Sequence, residues 1–115
     1  MFNCAIFIDI KGVIFMRRGT TQTHTFTIPF NLSLVSKLRI TYKQGDKVVI
    51  TKTEQDIKKE GANIIVSLTQ QETLMFNDSS IVEIQLKVLT NGGDVLATEI
   101  YNIHPLPILD EEVLA

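Results

Sequence analysis

The chain has 115 residues, enough for one hydrophobic core and too few for two. Thr, Ile and Val supply 36 of them against four Ala, and β-branched side chains suit a pleated surface better than a helix. Eleven Lys and Arg against thirteen Asp and Glu give no basic footprint for nucleic acid, and a lone Cys4 excludes an internal disulfide and a cysteine-only zinc site. No apolar run reaches the roughly 20 residues that a membrane-spanning helix needs.

Met1–Phe15 (MFNCAIFIDIKGVIF) is mostly apolar. A secretory signal would show a basic start, an unbroken apolar stretch and a small-residue cleavage site. Asp9 and Lys11 interrupt the run, no base precedes it and no A-x-A follows, so secretion through a signal peptide is not expected. Two readings stand. Either Ile6, Ile8 and Ile10 alternate with Ala5, Phe7 and Asp9 as an extra strand, or Met16 opens the protein and the upstream stretch is a gene-start artefact. Cys4 here reads as a small buried hydrophobe rather than a reactive thiol.

From Gln22 the alternation is regular: Gln22, His24, Phe26, Ile28 and Phe30 share one face, and Thr23, Thr25 and Thr27 the other. Pro29 marks an edge or an exit. Asn31 to Val35 reads as a turn or short helical turn. Leu38, Ile40 and Tyr42 alternate with Arg39, Thr41 and Lys43 in a second strand, and Gln44-Gly45-Asp46 turns the chain into Lys47 to Thr53. Gln55 to Lys59 fits a short polar strand, followed by a Gly61 turn and the strand Asn63 to Leu68. Thr69-Gln70-Gln71-Glu72 matches the S/T-x-x-E/Q capping box, which starts a loop helix of about one turn. Val82, Ile84, Leu86 and Val88 form the core face of the longest strand, Ile81 to Thr90. Asn91-Gly92-Gly93-Asp94 turns it back into Val95 to Ile103, and His104-Pro105-Leu106-Pro107 should end that strand because proline has no N–H for a ladder.

Six to seven short strands with turns every 8–12 residues and no long helix predict an all-β fold, an antiparallel β-sandwich of immunoglobulin-like architecture. The organisation expected is an apolar extension (1–15), a β-sandwich domain (16–107) and an acidic-apolar tail (108–115).

Catalysis needs a nucleophile, a base and a group that orients the base. His24 among strand threonines and His104 before a proline read as structural histidines, and no nucleophile elbow accompanies them. Asp110-Glu111-Glu112 lacks the alternating oxygen ligands and Gly turn of an EF-hand loop. Gly92-Gly93 is not followed by a helix N-terminus, and Arg17-Arg18 and Lys58-Lys59 have no interleaved aromatics for base stacking. No enzyme, cofactor or metal site is therefore expected.

One asymmetry survives. Residues 1–87 hold all eleven bases against eight acids, net +3; residues 88–115 hold Asp94, Glu99, Asp110, Glu111 and Glu112 and no base, net −5. Beyond Pro107 the segment Leu109, Asp110, Glu111, Glu112, Val113 and Leu114 is apolar and acidic together, unlike a disordered tail. It is expected to pack on its own domain or on a neighbour, and supplies the candidate interface residues.

Four segments carry a family resemblance: Met16-Arg17-Arg18-Gly19-Thr20-Thr21-Gln22-Thr23-His24-Thr25-Phe26, Leu68-Thr69-Gln70-Gln71-Glu72-Thr73, Val88 to Ala97, and Leu109-Asp110-Glu111-Glu112-Val113-Leu114. Through them the chain resembles, from about Met16 onward, a group of small β-sandwich proteins encoded in tailed-phage and prophage genomes. The resemblance implies a virion-associated structural role in the tail or baseplate, no enzymatic activity, and a location in the host cytoplasm during assembly and then in the virion. The Met1–Phe15 extension departs from the group. The expected function is a non-enzymatic assembly module that pairs with itself or with other phage structural proteins. The alternative is a module that binds glycan or another host-surface ligand, for which the absence of Trp and the presence of only Tyr42 and Tyr101 give thin support.

Overall fold

Each long alternating stretch forms a strand where the pattern places one. The computed structural model describes residues 7–8, 14–28 and 31–114. Ten strands lie among these residues: β1 (Phe7–Ile8), β2 (Ile14–Arg17), β3 (Gln22–Thr27), β4 (Val35–Gln44), β5 (Lys47–Thr53), β6 (Ile57–Glu60), β7 (Asn63–Leu68), β8 (Val82–Thr90), β9 (Val95–Ala97) and β10 (Tyr101–Leu106). A single 3-10 turn (Leu32–Leu34) leads into β4, where a turn or short helical turn was expected, and a short α-helix, α1 (Gln70–Leu74), joins β7 to β8. The strands make two sheets, one ordered β1-β3-β7-β6 and one ordered β2-β10-β8-β4-β5, with β9 also on β8. This is the expected β-sandwich.

The strand count exceeds six to seven for identifiable reasons. The expected strand Val95 to Ile103 is split. β9 pairs with β8 through Lys87↔Ala97, whereas β10 pairs with the same strand through Ile84↔Tyr101. Residues 98–100 thus stand opposite only Gln85 and Leu86, one residue too many, which makes a bulge. Buried Thr98 holds it: its N–H donates to Leu86 O at 2.9 Å, and its hydroxyl accepts from Leu86 N–H at 3.2 Å.

The same strand does not end at Ile103 as the prolines suggested. It runs on to Leu106 because β2 lies beside it in parallel, with Ile103↔Ile14 and Leu106↔Arg17 in register. Pro105 is tolerated since the β8 ladder stops at Ile103↔Val82, and Leu106 O, one residue on, is the atom facing β2, where it accepts from Arg18 N–H. β2 was not anticipated, and β2–β10 is a parallel pair in an otherwise antiparallel sandwich. Phe7–Ile8 pairs with β3. The rest of the proposed strand Ala5 to Ile10, with Cys4, Pro29 and Phe30, lies outside the described residues.

The core sits between the sheets. β3 contributes His24 and Phe26, β4 Leu38, Ile40 and Tyr42, β7 Ile64, Val66 and Leu68, and β8 Val82, Ile84, Leu86 and Val88. Met16 of β2 and Ile103 of β10 are also fully buried. Phe76, just past α1, is buried too, its ring centroid 6.1 Å from that of Tyr42. It plugs one end of the sandwich. Buried Gln44 shapes the loop behind it, donating to Asn77 O and Ser80 O at 2.9 Å each and accepting from Asn77 N–H at 3.0 Å.

Candidate functional site

The turn between β2 and β3, the helix α1 and the tail beyond Pro107 meet at this plugged end. Gly19 turns the chain between β2 and β3 at φ +75°, a conformation that costs a side-chain-bearing residue strain. A Cβ at Gly19 would also stand 3.1 Å from Ile108 Cδ1 and 3.3 Å from Leu74 Cδ2, so a side chain there would press on both α1 and the tail. The Thr73 hydroxyl of α1 donates to Thr20 O at 2.8 Å. Thr69 and Glu72 form the capping box read from the sequence, and Glu72 also pairs with Lys52 Nζ of β5 at 2.7 Å.

Arg18 ties the three segments together. Its guanidinium donates to Phe76 O and to Leu74 O (3.3 Å), carbonyls at the open C-terminal end of α1, and pairs with Glu111 at 3.1 Å. Arg17 donates to Pro107 O at 2.8 Å. Gln70 holds the tail from the other side: its amide donates to Leu114 O and accepts from Leu114 N–H, both at 3.0 Å. Asp110 accepts from the backbone of Glu112 at 2.9 Å. Among the six candidate interface residues, the structure therefore anchors Glu111 and the backbone of Leu114 on their own domain. The side chains of Leu109, Val113 and Leu114 remain 106%, 40% and 76% exposed. Sequence reasoning singled out the tail; it did not find Gln70 and Arg18 as its anchors, because contacts 44 and 93 residues apart leave no local pattern.

The histidines are far from this arrangement in character. His24 is fully buried, with Nδ1 2.7 Å from Tyr42 Oη and Nε2 without a partner among the described residues. Whichever of the two atoms donates, Nε2 is left over. Burial holds the imidazole pKa down at about 4, so the ring is neutral at physiological pH. Burial, and then the charge of Glu72, push the Tyr42 phenol well above its ordinary value. For Glu72 burial acts to raise the pKa, but Lys52 and the amide and hydroxyl of Thr69 outweigh it and hold the carboxylate charged below its usual range. His24 and Tyr42 can seal a core but have no surface on which to meet a substrate. His104 instead stacks obliquely on half-exposed Phe15, ring centroids 5.6 Å apart. Tyr42, one of two tyrosines considered for a glycan platform, lies in the core.

Among the described residues no group of three or more His, Cys, Asp and Glu could hold a metal ion. No helix there is long and apolar enough to cross a membrane.

No family model and no curated protein matches the sequence. Among solved structures, the chain is similar to the fibronectin(III)-like modules of Clostridium thermocellum CbhA, at a TM-score of 0.55 and 13% identity over 91% of this chain and 98% of that one. The fold is immunoglobulin-like. At such low identity the likeness extends to architecture alone: two face-packed sheets, near-complete overlap in length, and a fold whose CbhA example is described as a module.

Proposed function

We propose that the chain is a non-enzymatic assembly module that works through protein–protein contacts. The observation that carries this is the tail. A free apolar-acidic terminus would be expected to move; this one is pinned by Gln70, Arg18 and Arg17, yet turns Leu109, Val113 and Leu114 outward. Fixed apolar side chains rimmed by charge suit a partner surface. The setting comes from the resemblance: the tail or baseplate of a phage, reached from the host cytoplasm during assembly.

Light scattering and cross-linking, alone and with phage tail proteins, test the reading. Deleting Leu109 to Ala115 should weaken association more than it lowers the melting temperature, since the bonds it removes within the domain are surface ones. A strict monomer that ignores tail proteins would remove the support for assembly. A lower melting temperature with association unchanged would reduce the tail to a clasp on its own domain.

A further inference from the structure

The outer face of the larger sheet carries charge that its own domain leaves unmatched. On that face Lys43 of β4 stands opposite Glu83 of β8, so charge cancels there. Four residues earlier Arg39 stands opposite Lys87, two exposed bases directly paired across the ladder. Like charges so placed destabilise a sheet. Among the described residues neither base has an ion pair; the three ion pairs there use Arg18, Lys52 and Lys58. Lys37 follows, opposite Leu89, with Glu54 as its acidic neighbour. Beside these bases lie Ala97, Leu89 and Val95, the last 57% exposed. The surface is basic and apolar.

The tail is its chemical complement. Asp110 and Glu112 have no basic partner among the described residues, and Leu109 and Leu114 point outward. Register shows that one copy cannot match the two. β10 runs antiparallel to β8, with Ile103 level with Val82, so the chain leaving Leu106 travels away from Lys87 and Leu89. At about 3.3 Å per residue, Leu106 is some 25 Å from the level of Lys87. Gln70 and Arg18 then hold the tail at its own end.

Resting on the assembly reading, we infer that the Arg39–Lys87 surface receives the Asp110–Leu114 segment of a second copy. Two different patches at opposite ends form a heterologous, head-to-tail contact, which closes into a ring or continues as a filament.

The test uses the full chain and two charge-reversed variants, Arg39→Glu/Lys87→Glu and Asp110→Lys/Glu112→Lys, all with unchanged circular dichroism. Wild type should sediment as a concentration-dependent oligomer that raised salt dissociates. Each variant alone should associate about tenfold or more weakly. Mixed together they should regain association and grow as alternating copies, because the acidic tail of the first variant meets the basic face of the second and the basic tail of the second meets the acidic face of the first. Association of wild type that neither variant disturbs overturns this contact while leaving assembly through another surface standing. A wild type monomeric at every concentration also overturns it, and assembly with other phage proteins is then decided by the mixing experiment above.

Discussion

Mild acid should destabilise this domain through His24. The folded imidazole titrates at about 4, against the ordinary 6.5 it regains on unfolding. Above 6.5 neither state binds the proton and His24 costs nothing. Between 6.5 and 4 the unfolded chain binds it and the folded one does not, so stability falls as pH falls. Below 4 both are protonated and the loss is complete. At ~1.36 kcal/mol per pKa step the full loss is about 3 kcal/mol, of which about 2 kcal/mol is gone by pH ~5. That is a large part of a typical 5–15 kcal/mol. The carboxylates act lower: Glu54, Asp56 and Glu72 are all held below their ordinary values of 4.5, 3.8 and 4.5, and give up their contribution only as pH falls past those values, so the upper part of the window, from 6.5 to about 5, is clear of them. Urea unfolding at steps from pH 7 to 4 measures the slope. The control is His24→Phe/Tyr42→Phe, which removes both polar partners at once and so leaves no orphan. Its stability should be flat from pH 7 to about 5 and close to wild type at pH 7. Equal slopes in the two proteins, or a folded wild-type His24 that titrates near 6.5 by NMR, would refute the reasoning.

Three further outcomes are expected. Gly19→Ala should cost about 1–3 kcal/mol in urea unfolding, because φ is +75° and the new Cβ meets Ile108 and Leu74; a neutral result would mean that the turn, α1 and the tail give way easily. Phe76→Ala should cost about 3–5 kcal/mol despite its place in a loop, since the ring plugs the core against Tyr42; a loss below ~1 kcal/mol would show that the plug is dispensable. A chain beginning at Met16 loses the β1 ladder and the Ile14 and Phe15 rungs of β2, so it should melt lower. An equal or higher melting temperature with less aggregation would instead support the reading in which Met16 opens the protein.

Local periodicity decided most of the strands, because an inward face repeats every second residue wherever one side of a sheet is buried. The faces His24–Phe26–Ile28, Leu38–Ile40–Tyr42 and Val82–Ile84–Leu86–Val88 could be read directly, and so could the capping box at Thr69. Composition alone placed the chain among β domains. Partnership was not legible. Nothing in Ile14–Arg17 says that it lies parallel to β10, and Pro105 looked like a strand end until β2 supplied bonds on the side where proline loses none. The Thr98 bulge was hidden for the same reason: only the β8 register shows one residue too many. The tail's acids and leucines were visible as a composition, but its anchors Gln70 and Arg18 were not. Side chains far apart in sequence are brought together by the fold of both sheets, and the charge opposition of Arg39 and Lys87 exists only once β4 and β8 have chosen their register.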